Sequence, residues 1–137
     1  MCIRNLRKPK TSEESGVAYK VVEATEVKGQ YKPQWPYFNK KGTGGSHTGG
    51  QRYIPNTVTY KIGKKYTVRH KRFAITNDLE EEKYPAGVHL YKSPVYKVGM
   101  RTVEFQYSKA VAIGQSARLR EVIVAMSVKP IRDITGL

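Results

Sequence analysis

Hydrophobic and polar residues alternate with a period of two over several short stretches of this chain, and that spacing predicts strands. The clearest case is 58–73, VTYKIGKKYTVRHKRF. Val58, Tyr60 and Ile62 alternate with Thr59 and Lys61, and Tyr66, Val68 and His70 alternate with Thr67, Arg69 and Lys71. The pattern predicts a β-hairpin that turns at Gly63, Lys64 and Lys65. A three-residue loop sets Tyr60 opposite Val68 and Val58 opposite His70 and keeps one face mostly apolar, whereas a two-residue loop mixes the faces. The other face then carries Lys61, Arg69 and Lys71 among threonines, with Lys64 and Lys65 at the tip and Arg72 just beyond.

The same reading continues along the chain. Residues 17–27 form a strand with Val17, Tyr19 and Val21 on one face, ended by Lys28-Gly29-Gln30. Residues 31–38, YKPQWPYF, are extended, but Pro33 and Pro36 exclude a regular central strand. Residues 39–52 hold five glycines and no large apolar side chain, which predicts a flexible loop over 39–51. In TNDLEEEK (76–83), Asn77 followed by Glu80 resembles a capping box and predicts one helical turn. Gly87 opens a strand on which His89 and Tyr91 share a face. Val103, Phe105 and Tyr107 share a face of another, and 111–114 forms a separate short strand. The most apolar run, REVIVAMSVK (120–129), predicts a central strand buried on both faces, which Pro130 ends. The fold class expected is α+β and β-rich, a mostly antiparallel sheet with one or two short helices. A basic polar arm, 1–15, precedes a single domain over 16–137.

Composition adds a direction to this picture. The net charge is +14, and it is uneven. Residues 1–75 hold 16 Lys and Arg against 4 acids, and residues 76–137 hold 9 against 7. One electropositive side predicts a polyanionic partner, nucleic acid or a nucleotide. From Lys61 to Arg72 there are six cations and no carboxylate, so Lys61, Lys64, Lys65, Arg69, Lys71 and Arg72 are the leading candidates for phosphate contacts. Lys40, Lys41 and Arg52 bound the glycine loop, and Trp35 and Tyr53 flank it as platforms on which bases stack. One cysteine, Cys2, excludes an internal disulfide. No apolar run reaches the ~20 residues of a spanning helix. The expectation is a cytoplasmic protein with no membrane partner.

The chain does not announce a reaction. The glycine loop matches neither a dinucleotide-binding nor a phosphate-loop pattern. Three histidines and one cysteine show no metal-ligand spacing, and no metal or other cofactor is expected. If Met1 is removed, Cys2 becomes an N-terminal nucleophile whose own amine serves as base, with Arg4 near enough to lower its thiol pKa. No oxyanion-hole motif accompanies it, so binding is expected ahead of catalysis.

At Tyr60–Tyr66, YKIGKKY, and at Gly87-Val88-His89, the chain resembles a family of small proteins found largely in phages. Their pattern is an aromatic, two residues, Gly-Lys, one residue and Tyr, followed later by Gly-aromatic-His. The Met-Cys start, Tyr19–Val21 and the closing REVIVAMSVKPIRDI fit the resemblance. Val88 stands where an aromatic is usual, and the cysteine often found after the His is missing. The resemblance implies a viral origin more than an activity, and a phage accessory protein, with an anti-defence role and a host protein target, is among the readings it leaves open. A fainter likeness to ADP-ribosyltransferase folds runs through Gly87, His89, Tyr91 and Ser93. It implies that His89 and Tyr91 face a nucleotide, with His89 at the ribose. The catalytic Glu of such folds has no clear counterpart in Glu104 or Glu121. The classes left open are a binding module, an enzyme of that kind or one using Cys2, and a virion or interaction protein.

Overall fold

Alternating side chains with β-branched and aromatic residues pack well on a pleated surface, and strands dominate the result. The computed structural model describes residues 5–6, 15–33, 37–39, 53–55, 58–68, 73–75, 83–85, 87–116 and 118–136. The strands are β1 (Asn5–Leu6), β2 (Gly16–Ala24), β3 (Gln30–Pro33), β4 (Tyr37–Asn39), β5 (Tyr53–Pro55), β6 (Tyr60–Lys61), β7 (Tyr66–Thr67), β8 (Phe73–Ile75), β9 (Lys83–Pro85), β10 (Val88–Tyr91), β11 (Arg101–Gln115) and β12 (Glu121–Asp133). All their pairings are antiparallel. Among the described residues there is no helix. The β-rich class holds, and its helical component does not appear among the described residues. The predicted helical turn falls almost wholly on 76–82, outside the described residues, and Lys83 belongs to β9.

The spine is the long pair β11–β12, in register from Val103↔Asp133 to Gln115↔Glu121. Beyond it, β11 pairs β2 through Arg101–Tyr107 and β1 at its far end. On its other side β12 pairs β10 and then β7. β2 continues to β3, and β3 to β6. A bridge between Tyr19 and Tyr91 joins β2 to β10. The pairings β2–β11–β12–β10–β2 therefore close a ring, and the sheet curls on itself.

The curled sheet has two apolar clusters, one on each side of the strand alternation. Val22, Leu90, Val103, Phe105, Ile123 and Ala125 meet in the first, which Tyr31 of β3 and Tyr60 of β6 complete. Val21, Tyr91, Val122 and Val124 belong to the second, covered by Tyr84 of β9 and by Val95. Tyr60 stands edge-on to both Tyr66 and Phe105, with centroids 5.2 Å apart in each case. The run 122–125 is buried throughout, as a central strand with partners on both faces requires.

Several local expectations change. β6 and β7 do not pair with each other. The turn is tighter than expected, closing from Lys64 N–H to the Lys61 carbonyl at 3.1 Å, with Gly63 at φ 86° in its third position. β6 takes β3 as partner and β7 takes β12. Between them the Tyr66 hydroxyl accepts from Lys61 N–H and donates to the Thr59 carbonyl, both at 2.7 Å. The expected partner of Val58, His70, lies outside the described residues, and Val58 and Ile62 stay exposed while Tyr60 is buried.

β3 is flanked on both sides despite Pro33, because the proline is its last residue and needs no further ladder donor. Residues 111–114 are not a separate strand. β11 runs through them by taking up one extra residue between Ala110 and Ala112, a bulge that bends a strand without ending it, and Lys109 nearby has φ 55°. Nor does Pro130 stop β12, which runs on to Asp133 through a register shift beside Phe105↔Pro130. The imino nitrogen sits at that irregularity, and the Pro130 carbonyl accepts from Gly63 N–H at 2.8 Å.

On β2 both faces are packed, Val21 in the second cluster and Ala18 and Val22 in the first. Val17 is 46% exposed, whereas Ala18 and Val22 are fully buried. Lys20 therefore shares its side of the strand with the core, directly across from Val103.

Candidate functional site

Among the described residues, the β6–β7 turn holds the cations that the sequence named, grouped within five residues. Lys61, Lys64 and Lys65 are all exposed there. Gly63 permits the tight turn that places them together, and two backbone bonds dock the turn on its neighbours: Ile62 N–H to the Gly29 carbonyl at 3.0 Å, and Gly63 N–H to the Pro130 carbonyl. The Lys64 ammonium lies 5.6 Å from the centre of the Tyr66 ring, within range of a cation–π contact.

The fold recruits further cations that strand-by-strand reading did not. Lys129 is exposed on β12, next to the Val128↔Tyr66 pair. Lys32 is exposed on β3, on the same face as Gln30, which pairs Lys61. Glu23 stands opposite Lys32 and offsets part of its charge. Lys28 is exposed in the β2–β3 turn. Their signal in the sequence was alternation alone. Joining them to the turn required the pairings of β3 with β6 and β7 with β12, which are contacts between distant residues.

The ion pairs among the described residues lie elsewhere. Lys92 meets Glu121 at 3.6 Å, Arg101 meets Asp133 at 2.8 Å and Arg132 meets Glu104 at 2.6 Å. Three of the carboxylates on the β11–β12 spine are thereby engaged, and none of these pairs involves Lys61, Lys64, Lys65 or Lys129. Three aliphatic side chains are also exposed beside the turn or on segments docked to it: Ile62 itself, Val27 near Gly29 and Ile131 after Pro130.

His89 and Tyr91 are not part of this corner. They sit on β10, against 122 and 124 of β12, and Tyr91 is buried in the second cluster. The His89 Nε2 and the Tyr84 hydroxyl are 3.2 Å apart, with the rings edge-on. Desolvation first and the Lys20 charge second hold the His89 pKa down to about 3. The imidazole is neutral across the physiological range and has Tyr84, itself 1% exposed, as its partner. Tyr91 has the Arg120 guanidinium 6.0 Å from its ring centre.

Arg69, Lys71, Arg72, Lys40, Lys41, Arg52, Trp35 and Cys2 lie outside the described residues. Tyr53 belongs to β5, but its side chain is outside the described set as well. Among the described residues no group of three His, Cys, Asp or Glu could hold a metal, and no helix is long and apolar enough to cross a membrane.

No protein-family model, curated protein or solved structure matches this chain.

Proposed function

We propose that the protein binds a nucleic-acid strand through the corner built by the β6–β7 turn, with Lys61, Lys64 and Lys65 as phosphate contacts and Lys129 beside them. The observation that carries the reading is the exposed lysine cluster on a backbone turn that is docked to β3 and β12. A fixed array of cations loses less entropy on binding than a floating one. Arg69, Lys71 and Arg72 follow directly in the sequence and would extend the same contact. The exposed aliphatics beside the lysines favour a strand that offers base faces as well as phosphates over a small inorganic anion. The likeness of YKIGKKY and Gly87–His89 to phage proteins supports reading this nucleic-acid binder as a phage accessory protein.

The test is fluorescence anisotropy with a labelled single-stranded oligonucleotide across a salt series. Each phosphate contact contributes ~0.7 to the slope of log K against log salt. The Lys61/Lys64/Lys65→Ala triple variant is expected to lower the slope by about two and to weaken binding across sequences alike. Unchanged affinity and slope in a folded triple variant would refute the assignment. Polyphosphate displacing the strand as well as unlabelled oligonucleotide does would reduce the reading to charge alone.

A further inference from the structure

The β11–β12 hairpin ends in a turn that carries an unusual residue for its shape. Ser116 N–H donates to the Arg120 carbonyl and Leu119 N–H to the Ser116 carbonyl, both at 2.9 Å. Such a short loop puts its last residue in a left-handed backbone, a place that glycine or asparagine usually takes. Here that residue is Leu119, at φ 58°. Its side chain gains nothing from the core in return, because it is 69% exposed. The other positive-φ side chain among the described residues, Lys109, sits beside the register shift of β11, and the bulge accounts for it. Neither packing nor register accounts for a leucine at 119.

Cations flank this side chain. Arg118 is exposed. Arg120 is half-buried, with its guanidinium 6.0 Å from the centre of the buried Tyr91 ring, a contact that steadies the group through its face. The only carboxylate within 115–121 is Glu121, and Lys92 engages it at 3.6 Å. None of the ion pairs among the described residues uses Arg118 or Arg120. The tip is braced on both strands: Gln115 pairs Asn5 of β1, and Lys92 N–H donates to the Glu121 carbonyl at 3.0 Å.

We infer that Leu119 is a wedge that enters between neighbouring bases of a bound nucleic acid, with Arg118 and Arg120 on the phosphates to either side. The inference rests on the nucleic-acid reading of the lysine corner and adds a second contact to it. Backbone strain kept at an exposed position, where folding has no use for it, marks a contact made with a partner. A leucine blade fits the gap between two unstacked bases, and arginines beside it fit phosphate oxygens. An apolar protein pocket fits the tip poorly, because both arginines would be desolvated along with the leucine. The tip stands at most about 30 Å from Lys129 along β12, which about ten nucleotides cover at ~3.4 Å each. One strand therefore reaches both contacts.

The experiment uses the whole chain and a single strand of about twenty nucleotides, longer than the usual site of one small domain. It carries 2-aminopurine at several internal positions, a base whose fluorescence rises when it loses its stacked neighbours. Binding to the wild type is expected to brighten it about twofold or more, as unstacking by a wedge requires. Leu119→Gly keeps every cation, so its salt slope is expected to match that of the wild type, while the brightening is lost. Glycine accepts the left-handed backbone, and the variant is expected to melt no lower than the wild type. A wild type that binds with a salt-dependent affinity but without brightening overturns the wedge and leaves the lysine corner standing. So does a Leu119→Gly variant that brightens the strand as fully as the wild type. A variant that melts clearly lower shows that the leucine serves packing, and that too overturns the inference. A wild type that binds no strand at all removes the nucleic-acid reading and the wedge with it.

Discussion

Single side chains set the response of this fold to acid. Asp133 is partly buried, which by itself raises its pKa, but hydrogen bonds from Arg101, Thr135 and Tyr31 outweigh that and bring it to about 2. The unfolded chain carries an ordinary aspartate near ~3.9. Between these values only the unfolded state takes up the proton, so the contribution is complete above about pH 4 and is lost as pH falls toward 2. Asp133→Asn is expected to cost about 1–2 kcal/mol at pH 7 after discounting for solvent, and to flatten the acid limb below pH 4. His89 works in the same direction at higher pH. Its folded pKa near 3 lies below the ordinary ~6.5, so stability falls as pH drops from 6.5 toward 3. His89→Gln is expected to make that stretch shallower. Urea midpoints of the wild type and both variants at pH 7, 5 and 3 check the two expectations together. A wild-type midpoint that stays level from pH 7 to 3 would contradict both.

At the scale of elements, short strands hold their places through contacts with distant segments. β6 and β7 are two residues each, and the Tyr66 hydroxyl replaces the ladder between them. Tyr66→Phe keeps the ring contact with Tyr60 but removes both bonds. It is expected to cost about 1–2 kcal/mol and to speed amide exchange at Lys61 in particular. Two glycines sort differently. A Cβ at Gly87 would lie 2.7 Å from the Ala125 carbonyl oxygen, which is backbone of the central strand. At Gly16 it would meet the Tyr107 ring, which a rotation of that side chain can clear. Gly87→Ala is therefore expected to destabilise by about 1–3 kcal/mol, and Gly16→Ala by clearly less. Thermal melts of the two variants side by side give the order, and equal losses would show that the Tyr107 ring cannot move.

For the whole molecule, charge and core are separable. The net charge of +14 works against compactness through self-repulsion, which salt screens. Moderate salt is expected to raise the melting temperature while weakening nucleic-acid binding, two opposite trends in one titration. Removing Lys61, Lys64 and Lys65 takes away exposed groups and should change stability by no more than about 0.5 kcal/mol each. Tyr60→Ala empties a position in the first cluster beside Tyr66 and Phe105 and is expected to cost about 3–5 kcal/mol. Denaturant melts of the triple variant and of Tyr60→Ala separate the two, and comparable losses would mean that the basic corner is part of the core.

What the sequence determined by itself is what local periodicity and side-chain chemistry report. Alternation placed strands within 17–27, within 58–73 on either side of a lysine turn, and at 88–91 and 103–107, and the structure has strands at Gly16–Ala24, Tyr60–Lys61, Tyr66–Thr67, Val88–Tyr91 and within Arg101–Gln115. An unbroken apolar run marked 122–125 as central, and a lysine-rich turn with no acid marked Lys61, Lys64 and Lys65 as the exposed cations. What the tertiary structure decided is which strand meets which, because pairing joins residues far apart in the chain and no local pattern encodes it. That is why the apparent hairpin separates onto β3 and β12, why β11 and β12 run through a bulge and a proline, and why Lys32 and Lys129 lie near one turn. It also explains Lys20. Alternation along β2 yields two faces and does not say which one is buried. Val17, Tyr19 and Val21 on one side looked like the buried set, but Ala18 and Val22 beside Lys20 are buried as well, and Val17 is exposed. Pairing with Val103 and the curl of the sheet turn the lysine inward, where the His89 carbonyl accepts a hydrogen bond from its ammonium.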